Sequence, residues 1–300
     1  MNVNYFFLLN IFISFLSATN YYVATSYGND TNNGTSINTP FKTIAKAASV
    51  MSSGDICYIR QGRYHETVTI NNLDGSSGSA IIFTNYNNER VIMDGTIPIT
   101  STWTQEGSSH IWRTKLSSDI WQLFLDWEEQ VMARWPNAKF SDNTIWDNDN
   151  YWAKGTIDDD ENAYSNGTII DDPYTNSAGT TINLSTAGFD LDETNKQAIA
   201  ILNLGSFRTW SRLVTSHSGN TFNYSTVPNW KTKHHYYFLE GRREFLDQAG
   251  EWWYDTYNNA DSLYYYANNG VDPNRLNFRG KVQSYAFSIT GSKYIQIKNI

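Results

Sequence analysis

Asp55-Ile56-Cys57-Tyr58-Ile59-Arg60-Gln61-Gly62-Arg63-Tyr64-His65-Glu66-Thr67-Val68-Thr69-Ile70 is the stretch on which the fold turns. Ile56 and Tyr58, then Tyr64, Val68 and Ile70, alternate with polar residues around a turn at Gln61-Gly62, the period of a half-buried strand. Working outward, Ala80-Ile81-Ile82-Phe83 and Val91-Ile92-Met93 read as two more short strands, separated by turn-rich Asn85 to Glu89 and ended by Asp94-Gly95. On the N-terminal side, Phe41, Ile44, Ala45, Ala48 and Met51 recur at the spacing of one helical face, with Pro40 near the start and Ser52-Ser53-Gly54 as the stop. Short strands after a single amphipathic helix predict a stack of β-coils whose open end that helix covers, because an uncovered end exposes strand edges. The competing reading is an ordinary antiparallel sandwich, which periodicity alone does not exclude.

Composition narrows the function classes. The chain has 300 residues, 40% hydrophobic and 17% charged, which excludes a disordered tail and a coiled-coil rod. A net charge of −8 and no Lys/Arg cluster argue against a nucleic-acid partner, since nothing is present to displace counterions from phosphates. The single Cys57 removes disulfide frameworks and Cys-based zinc sites, and its apolar setting reads as a buried small hydrophobe. His65, His110, His217, His234 and His235 show no metal spacing, so no metal site and no cofactor are expected. Eleven Trp, 20 Tyr and 15 Phe suit pleated strands and carbohydrate faces better than helices.

Phe6 to Leu16 is an apolar segment followed by Ser17-Ala18, shorter than a membrane span and read as a cleaved signal over residues 1–18. The expectation is therefore an exported protein, secreted or periplasmic or at the cell surface, without a membrane span. Asn29, Asn33, Asn166, Asn183 and Asn223 head Asn-x-Ser/Thr sites that matter in a glycosylating host.

Tyr22-Val23-Ala24, Gly28-Asn29-Asp30, Gly34-Thr35, Pro40-Phe41-Lys42-Thr43-Ile44, Ala47-Ala48, Gly54-Asp55, Tyr58-Ile59-Arg60, Gly62-Arg63-Tyr64 and Glu66 form a combination. It resembles the N-terminal region of secreted right-handed parallel β-helix proteins of the pectate-lyase-like superfamily. Further on, Ala133-Arg134-Trp135-Pro136-Asn137, Tyr237-Phe238-Leu239-Glu240, Glu244-Phe245-Leu246-Asp247, Gly250-Glu251-Trp252-Trp253-Tyr254-Asp255 and Leu263-Tyr264-Tyr265 are similar to words in β-helix glycoside hydrolases with a β-sandwich-like insertion. The families concerned are the one with α-fucosidase and xylanase activities and, more loosely, the β-xylosidase family. The resemblance implies an all-β chain: a right-handed parallel β-helix with an N-terminal capping helix and an inserted antiparallel β-sandwich-like module.

The residues divide accordingly. After the signal, 19–102 would hold the cap and first coils, 103–275 the inserted module, and 276–300 the start of the main coil series. Trp103 to Leu116 and Trp121 to Ala133 alternate as a hairpin, and Trp253 and Leu263 to Tyr266 flank a turn at Tyr257-Asn258-Asn259 with an aromatic face. The strand-turn-strand from Tyr285 to Ile300 leaves an open repeat edge, from which an N-terminal fragment of a longer protein is expected.

Sugar cleavage needs two carboxylates at one glycosidic bond. The resemblance places them beyond residue 300, so no catalytic residue is named and the chain by itself is expected to be inactive. Asp94, Glu128, Glu129, Asp247, Glu251 and Asp255 are explained by turns, hairpin tips and solvated faces. Asp158-Asp159-Asp160-Glu161 and Asp147-Asn148-Asp149-Asn150 match no calcium loop and read as solvated.

Trp135, Trp146, Trp152, Trp230 and Trp252 have faces that could stack on sugar rings, with the region from Trp135 to Trp152 foremost for its polar, loop-like context. Arg134, Trp135, Trp146 and Trp152 are thus the candidate substrate-binding residues. A polysaccharide or oligosaccharide is the expected partner of an exported glycoside hydrolase. The alternatives are a noncatalytic glycan-binding or adhesin-like surface protein and a polysaccharide lyase, for which Arg134 would be the candidate base.

Overall fold

A computed structural model describes residues 18–156, 167–194, 196–205, 208–225, 227, 235–255 and 261–300. The apolar N-terminal stretch expected to be a signal, the acidic run Asp158 to Glu161, Asn166, Trp230, His234 and the expected turn Tyr257 to Asn259 lie outside the described residues. Contacts divide the chain into two compact units, residues 1–96 with 283–300, and residues 97–282.

In the first unit, strands Asn20–Val23, Ile56–Ile59, Ile81–Asn85 and Ile295–Lys298 lie side by side in that order, all parallel. Two parallel pairs accompany them, Gly62–Tyr64 with Val91–Met93 and Val68–Asn71 with Phe287–Thr290. Alternation buries Cys57, Ile59, Val68, Ile70, Ile81 and Phe83 together with Val23 and Phe41. Each large apolar side chain removed from water in this way contributes about 1.5–3 kcal/mol. The helix is shorter than its apolar pattern, Ile44–Ala48, although Phe41 and Met51 at the ends of the pattern are buried as well.

Its N-terminus explains two of the recognised motif residues. Asp30 accepts from the backbone N–H groups of Lys42 and Thr43 at 2.8 and 3.0 Å, and Glu66 accepts from those of Ile44 and Ala45, both at 2.9 Å. Donors that an α-helix leaves unpaired are thereby satisfied by side chains from elsewhere in the unit. Gly28 is required by crowding, because a Cβ there would stand 2.1 Å from the Phe41 carbonyl oxygen.

Residues 97–282 carry the two largest sheets. One is mixed and eight-stranded, in the order Thr96–Pro98, Phe278–Lys281, Leu123–Leu125, Glu128–Met132, Glu251–Asp255, Ser262–Tyr266, Ile111–Lys115, Thr104–Gln105. Its parallel step pairs Val131 with Glu251 and Met132 with Trp252. The hairpin between Leu125 and Glu128 turns at Asp126 and Trp127, both at positive φ, the geometry of tight two-residue turns. Trp103, Leu123, Trp252, Leu263, Tyr265 and Phe278 form its core.

The other sheet runs Arg134–Trp135, His235–Glu240, Ala153–Thr156, Thr168–Asp171, Thr221–Tyr224, Arg208–Ser218, Ile199–Gly205. It closes on itself, because Ile199–Gly205 pairs back with His235–Glu240, Ala200 facing Leu239. The result is a small barrel filled by Leu202, Phe222, Tyr237, Leu239 and their neighbours. The Tyr237 hydroxyl donates to buried Asp171 at 2.5 Å, which gives both polar groups a partner inside it.

The fold class expected from the sequence is corrected by this topology. The chain is all-β, but it is not a right-handed parallel β-helix with a capping helix and a sandwich insert. Among the described residues, parallel ladders of three or four residue pairs are confined to the small sheets of the first unit, and the larger mixed sheet has one parallel step of two pairs. The main sheets are a mixed one and a closed antiparallel one, and the α-helices among the described residues are the short segments Ile44–Ala48, Asn148–Tyr151 and Leu184–Ala187. A period of two records which residues face inward, and it is the same in parallel, antiparallel, open and closed sheets.

Candidate functional site

The site lies within residues 97–282, where the strands Glu128–Met132, Arg134–Trp135, His235–Glu240 and Glu251–Asp255 bring Arg134, Glu240 and Glu251 to one cleft. In His235–Glu240 alternation sends Tyr237 and Leu239 into the barrel core, leaving Phe238 and Glu240 on the opposite face. Arg134 sits opposite Glu240 in the antiparallel ladder.

Arg134 is almost completely buried. Its Nε donates to the Pro136 carbonyl at 2.9 Å and its Nη2 to the Tyr151 carbonyl at 3.0 Å, and the guanidinium carbon lies 3.7 Å from the centre of the Phe238 ring. Burial lowers its pKa to about 10, opposed by Glu240 and then Glu251.

Both carboxylates are shifted the other way. Burial raises Glu240 to about 7, with Arg134 pulling it back. Glu251, only 1% exposed, is raised to about 8 by burial, with Asp247 adding to the rise. Its Oε2 accepts from the backbone N–H groups of Asp247 and Gln248 at 3.2 and 3.0 Å. Asp247 is steadied in turn by Asn137 Nδ2, which donates to it at 2.8 Å.

The cleft has two lobes that share Glu129, Gln130, Val131 and Phe140. One, of about 300 Å³, is bounded by residues 128–131, 138–141 and 248–251. The other, of about 220 Å³, holds Arg134 and Glu240 among Trp121, Phe140, Phe238 and Trp252. Gln122 Nε2 donates to Glu129 at 2.6 Å, and Trp252 Nε1 to the Gln130 carbonyl at 3.0 Å, so the shared strand is held in place.

The four candidate residues from the sequence occupy different settings. Arg134 lines the cleft. Trp135 packs on the barrel core with its ring 6.1 Å from Phe189 and 6.3 Å from Tyr237. Trp152 meets the edge of Phe238 at 4.7 Å. Trp146 is 73% exposed and lies 6.0 Å from Phe140, a cleft residue. The sequence pattern does not single out Glu240 or Glu251 as cleft residues: Glu240 closes a motif of the resemblance, and turns and solvated faces account for Glu251. The available signal was an acidic residue set directly beside aromatic strand residues, as in Gly250-Glu251-Trp252-Trp253.

Comparison with known proteins adds a fold and a short sequence match. A family model described as "Protein of unknown function (DUF1565)" matches residues 26–71. The uncharacterized protein YwoF of Bacillus subtilis (strain 168) is 41% identical over 68 residues, 23% of this chain and 14% of that protein. Among solved structures, one described as a glycoside hydrolase superposes over 94% of this chain and 50% of its own, with a TM-score of 0.61 and 17% identity. The complex of XylC with xylose covers 93% of this chain and 34% of its own, at a TM-score of 0.44 and 16% identity. The chain thus spans half the length of the first of these structures and a seventh of YwoF's, and it shares its fold with a glycoside hydrolase chain.

Proposed function

We propose that this chain is part of a carbohydrate-active protein of the glycoside-hydrolase kind, and that its residues 97–282 bind saccharide in the two-lobed cleft. The observation that supports the carbohydrate reading is the fold shared with a glycoside hydrolase over 94% of the chain. Export belongs to the same reading, through the apolar segment Phe6 to Leu16.

The cleft chemistry favours binding over bond cleavage. Hydrolysis of a glycosidic bond requires carboxyl groups whose pKa values are pushed apart, one kept protonated and one ionised. Glu240 and Glu251 are pushed the same way, to about 7 and about 8. Carboxyls of this kind, beside a guanidinium and aromatic walls, suit the hydroxyl groups and apolar faces of a sugar. Arg134 belongs to the cleft wall, and exposed Trp146 is the candidate tryptophan with an open ring face.

The test is to incubate the chain with soluble plant and algal polysaccharides and to measure bound saccharide, reducing ends and ultraviolet absorbance. Binding without new reducing ends is expected. New reducing ends without absorbance would make these 300 residues a hydrolase, an unsaturated absorbing product would make them a lyase, and no interaction with any polysaccharide would remove the carbohydrate reading.

A further inference from the structure

Trp121 is 50% exposed and lines the smaller lobe of the cleft. Among the described residues its ring stacks on no aromatic side chain, carries no cation and makes no hydrogen bond. The other exposed tryptophans are engaged: Trp127 lies 4.5 Å from the Arg279 guanidinium carbon, and Trp146 lies 6.0 Å from Phe140. The backbone beneath Trp121 is anchored on both sides, since its N–H donates to the Lys281 carbonyl at 3.1 Å and the Gln122 carbonyl accepts from the Lys281 N–H at 2.9 Å. An uncommitted indole thus stands on a fixed strand end beside a cavity, a preorganised platform for a ligand face.

Glu240 supplies the polar counterpart in the same lobe, where it is partly exposed. Among the described residues its carboxyl forms no hydrogen bond and no ion pair, and Arg134, opposite it in the ladder, acts on it only as a charge at longer range. The sealed side-chain atoms without a partner belong to Trp152, Trp210, Gln248 and Glu251, so the Glu240 oxygens are open to solvent. The other charged groups of the lobe are committed. Arg134 is 2% exposed and spends Nε and Nη2 on carbonyls and its face on Phe238, and Glu129 accepts from Gln122.

The lobe selects among ligands. Its volume of about 220 Å³ is several times the roughly 30 Å³ share of one water molecule and below the roughly 300–1,000 Å³ of drug-sized sites, which is room for a single ring. Burial raises Glu240 to about 7, so both its forms are populated near neutrality. A hydroxyl group donates to the ionised form and accepts from the protonated one, whereas an ammonium group can only donate and a carboxylate can only accept. A ring with an apolar face and hydroxyl groups at its edge therefore matches both the indole and the carboxyl.

We propose that the smaller lobe is a subsite for one neutral sugar ring, which stacks on the Trp121 indole and pairs a hydroxyl group with the Glu240 carboxyl. The assignment rests on the carbohydrate reading above and adds a place, two contacts and a charge class to it. Trp121 and Glu240 are binding residues here, with no part in bond cleavage.

Calorimetric titration and indole NMR signals of the full chain test it, using methyl glycosides and short oligosaccharides of xylose, glucose, galactose and mannose, with methyl glucuronide and methyl glucosaminide as charged counterparts. A neutral glycoside is expected to bind and to shift the indole N–H signal that Trp121→Phe removes. Trp121→Ala, at an exposed side chain, is expected to weaken binding about tenfold with unchanged melting temperature, and Trp121→Phe to restore most of it. Glu240→Leu is expected to weaken binding about tenfold, the effect of one lost hydrogen bond, whereas Glu240→Gln, which still accepts and donates, keeps it within about threefold. Trp127→Ala, outside the lobe, is expected to change nothing. Should Glu240→Leu lower the melting temperature, Trp121→Ala decides alone. Native binding that survives Trp121→Ala, or that falls as far with Trp127→Ala, overturns the subsite and leaves the carbohydrate reading standing. Tighter binding of the glucuronide or the glucosaminide than of every neutral glycoside overturns the neutral class. Failure of the native chain to bind any of these saccharides overturns the subsite and the carbohydrate reading together.

Discussion

The Arg134 guanidinium carbon rests 3.7 Å from the ring centre of Phe238, a residue of the neighbouring strand, while Nε and Nη2 of the same group donate to the Pro136 and Tyr151 carbonyls. One buried cation thus fastens the segment after its own strand, the short helix Asn148–Tyr151 and a barrel strand. Arg134→Lys keeps the charge and loses the fork, and is expected to cost about 2–3 kcal/mol in urea denaturation. Phe238→Leu is expected to cost about 1 kcal/mol or somewhat more through lost cation–π contact and packing. In the double variant the two losses should not add, because the contact can be lost once.

Stability should fall as pH rises through the site's own window. Glu240 and Glu251 bind a proton more tightly in the folded chain than in the unfolded one, at about 7 and about 8 against the ordinary glutamate value of 4.5. Between roughly pH 4.5 and 8 the native state therefore holds more protons, so the contribution is full below about 4.5, declines through the window and is spent above about 8. Thermal or urea unfolding at several pH values between 5 and 8 measures it. Glu251→Gln, which does not titrate, is expected to flatten the slope, and an unchanged slope would contradict the buried, raised carboxyl.

At the helix of the first unit, Glu66→Ala removes the acceptor for both the Ile44 and Ala45 N–H groups. The expected loss is about 1–2 kcal/mol, in the range of a helix N-cap. Amide hydrogen exchange should show it locally, with faster exchange at Ile44 and Ala45 and little change within residues 97–282. Asp30→Ala should act in the same way on Lys42 and Thr43.

Much of the local pattern was legible and the assembly was not. Alternation at Ile56 to Ile59, Val68 to Ile70 and Ile81 to Phe83 marks strands that the structure contains, whereas Asp30 and Glu66 belong to the motif combination without the sequence showing that they accept from N–H groups at the helix start. The helix came out shorter than its apolar spacing because Phe41 bridges Val23 instead of starting a turn. The closed barrel was invisible for a definite reason: His235–Glu240 uses both its edges, toward Ala153–Thr156 and toward Ile199–Gly205, and no residue type reports how many neighbours a strand has. Glu251 was misplaced at the surface because hydrophilicity was taken for exposure, whereas backbone N–H groups of Asp247 and Gln248 hold it in the interior.

Saccharide binding at the two-lobed cleft of residues 97–282 is the central claim, and amide hydrogen exchange of the full chain with and without a saturating polysaccharide tests it most directly. The account predicts slowed exchange concentrated in residues 128–132 and 247–251 for at least one polysaccharide of a plant and algal panel. Protection confined to other segments, or none with any member of the panel, would contradict it.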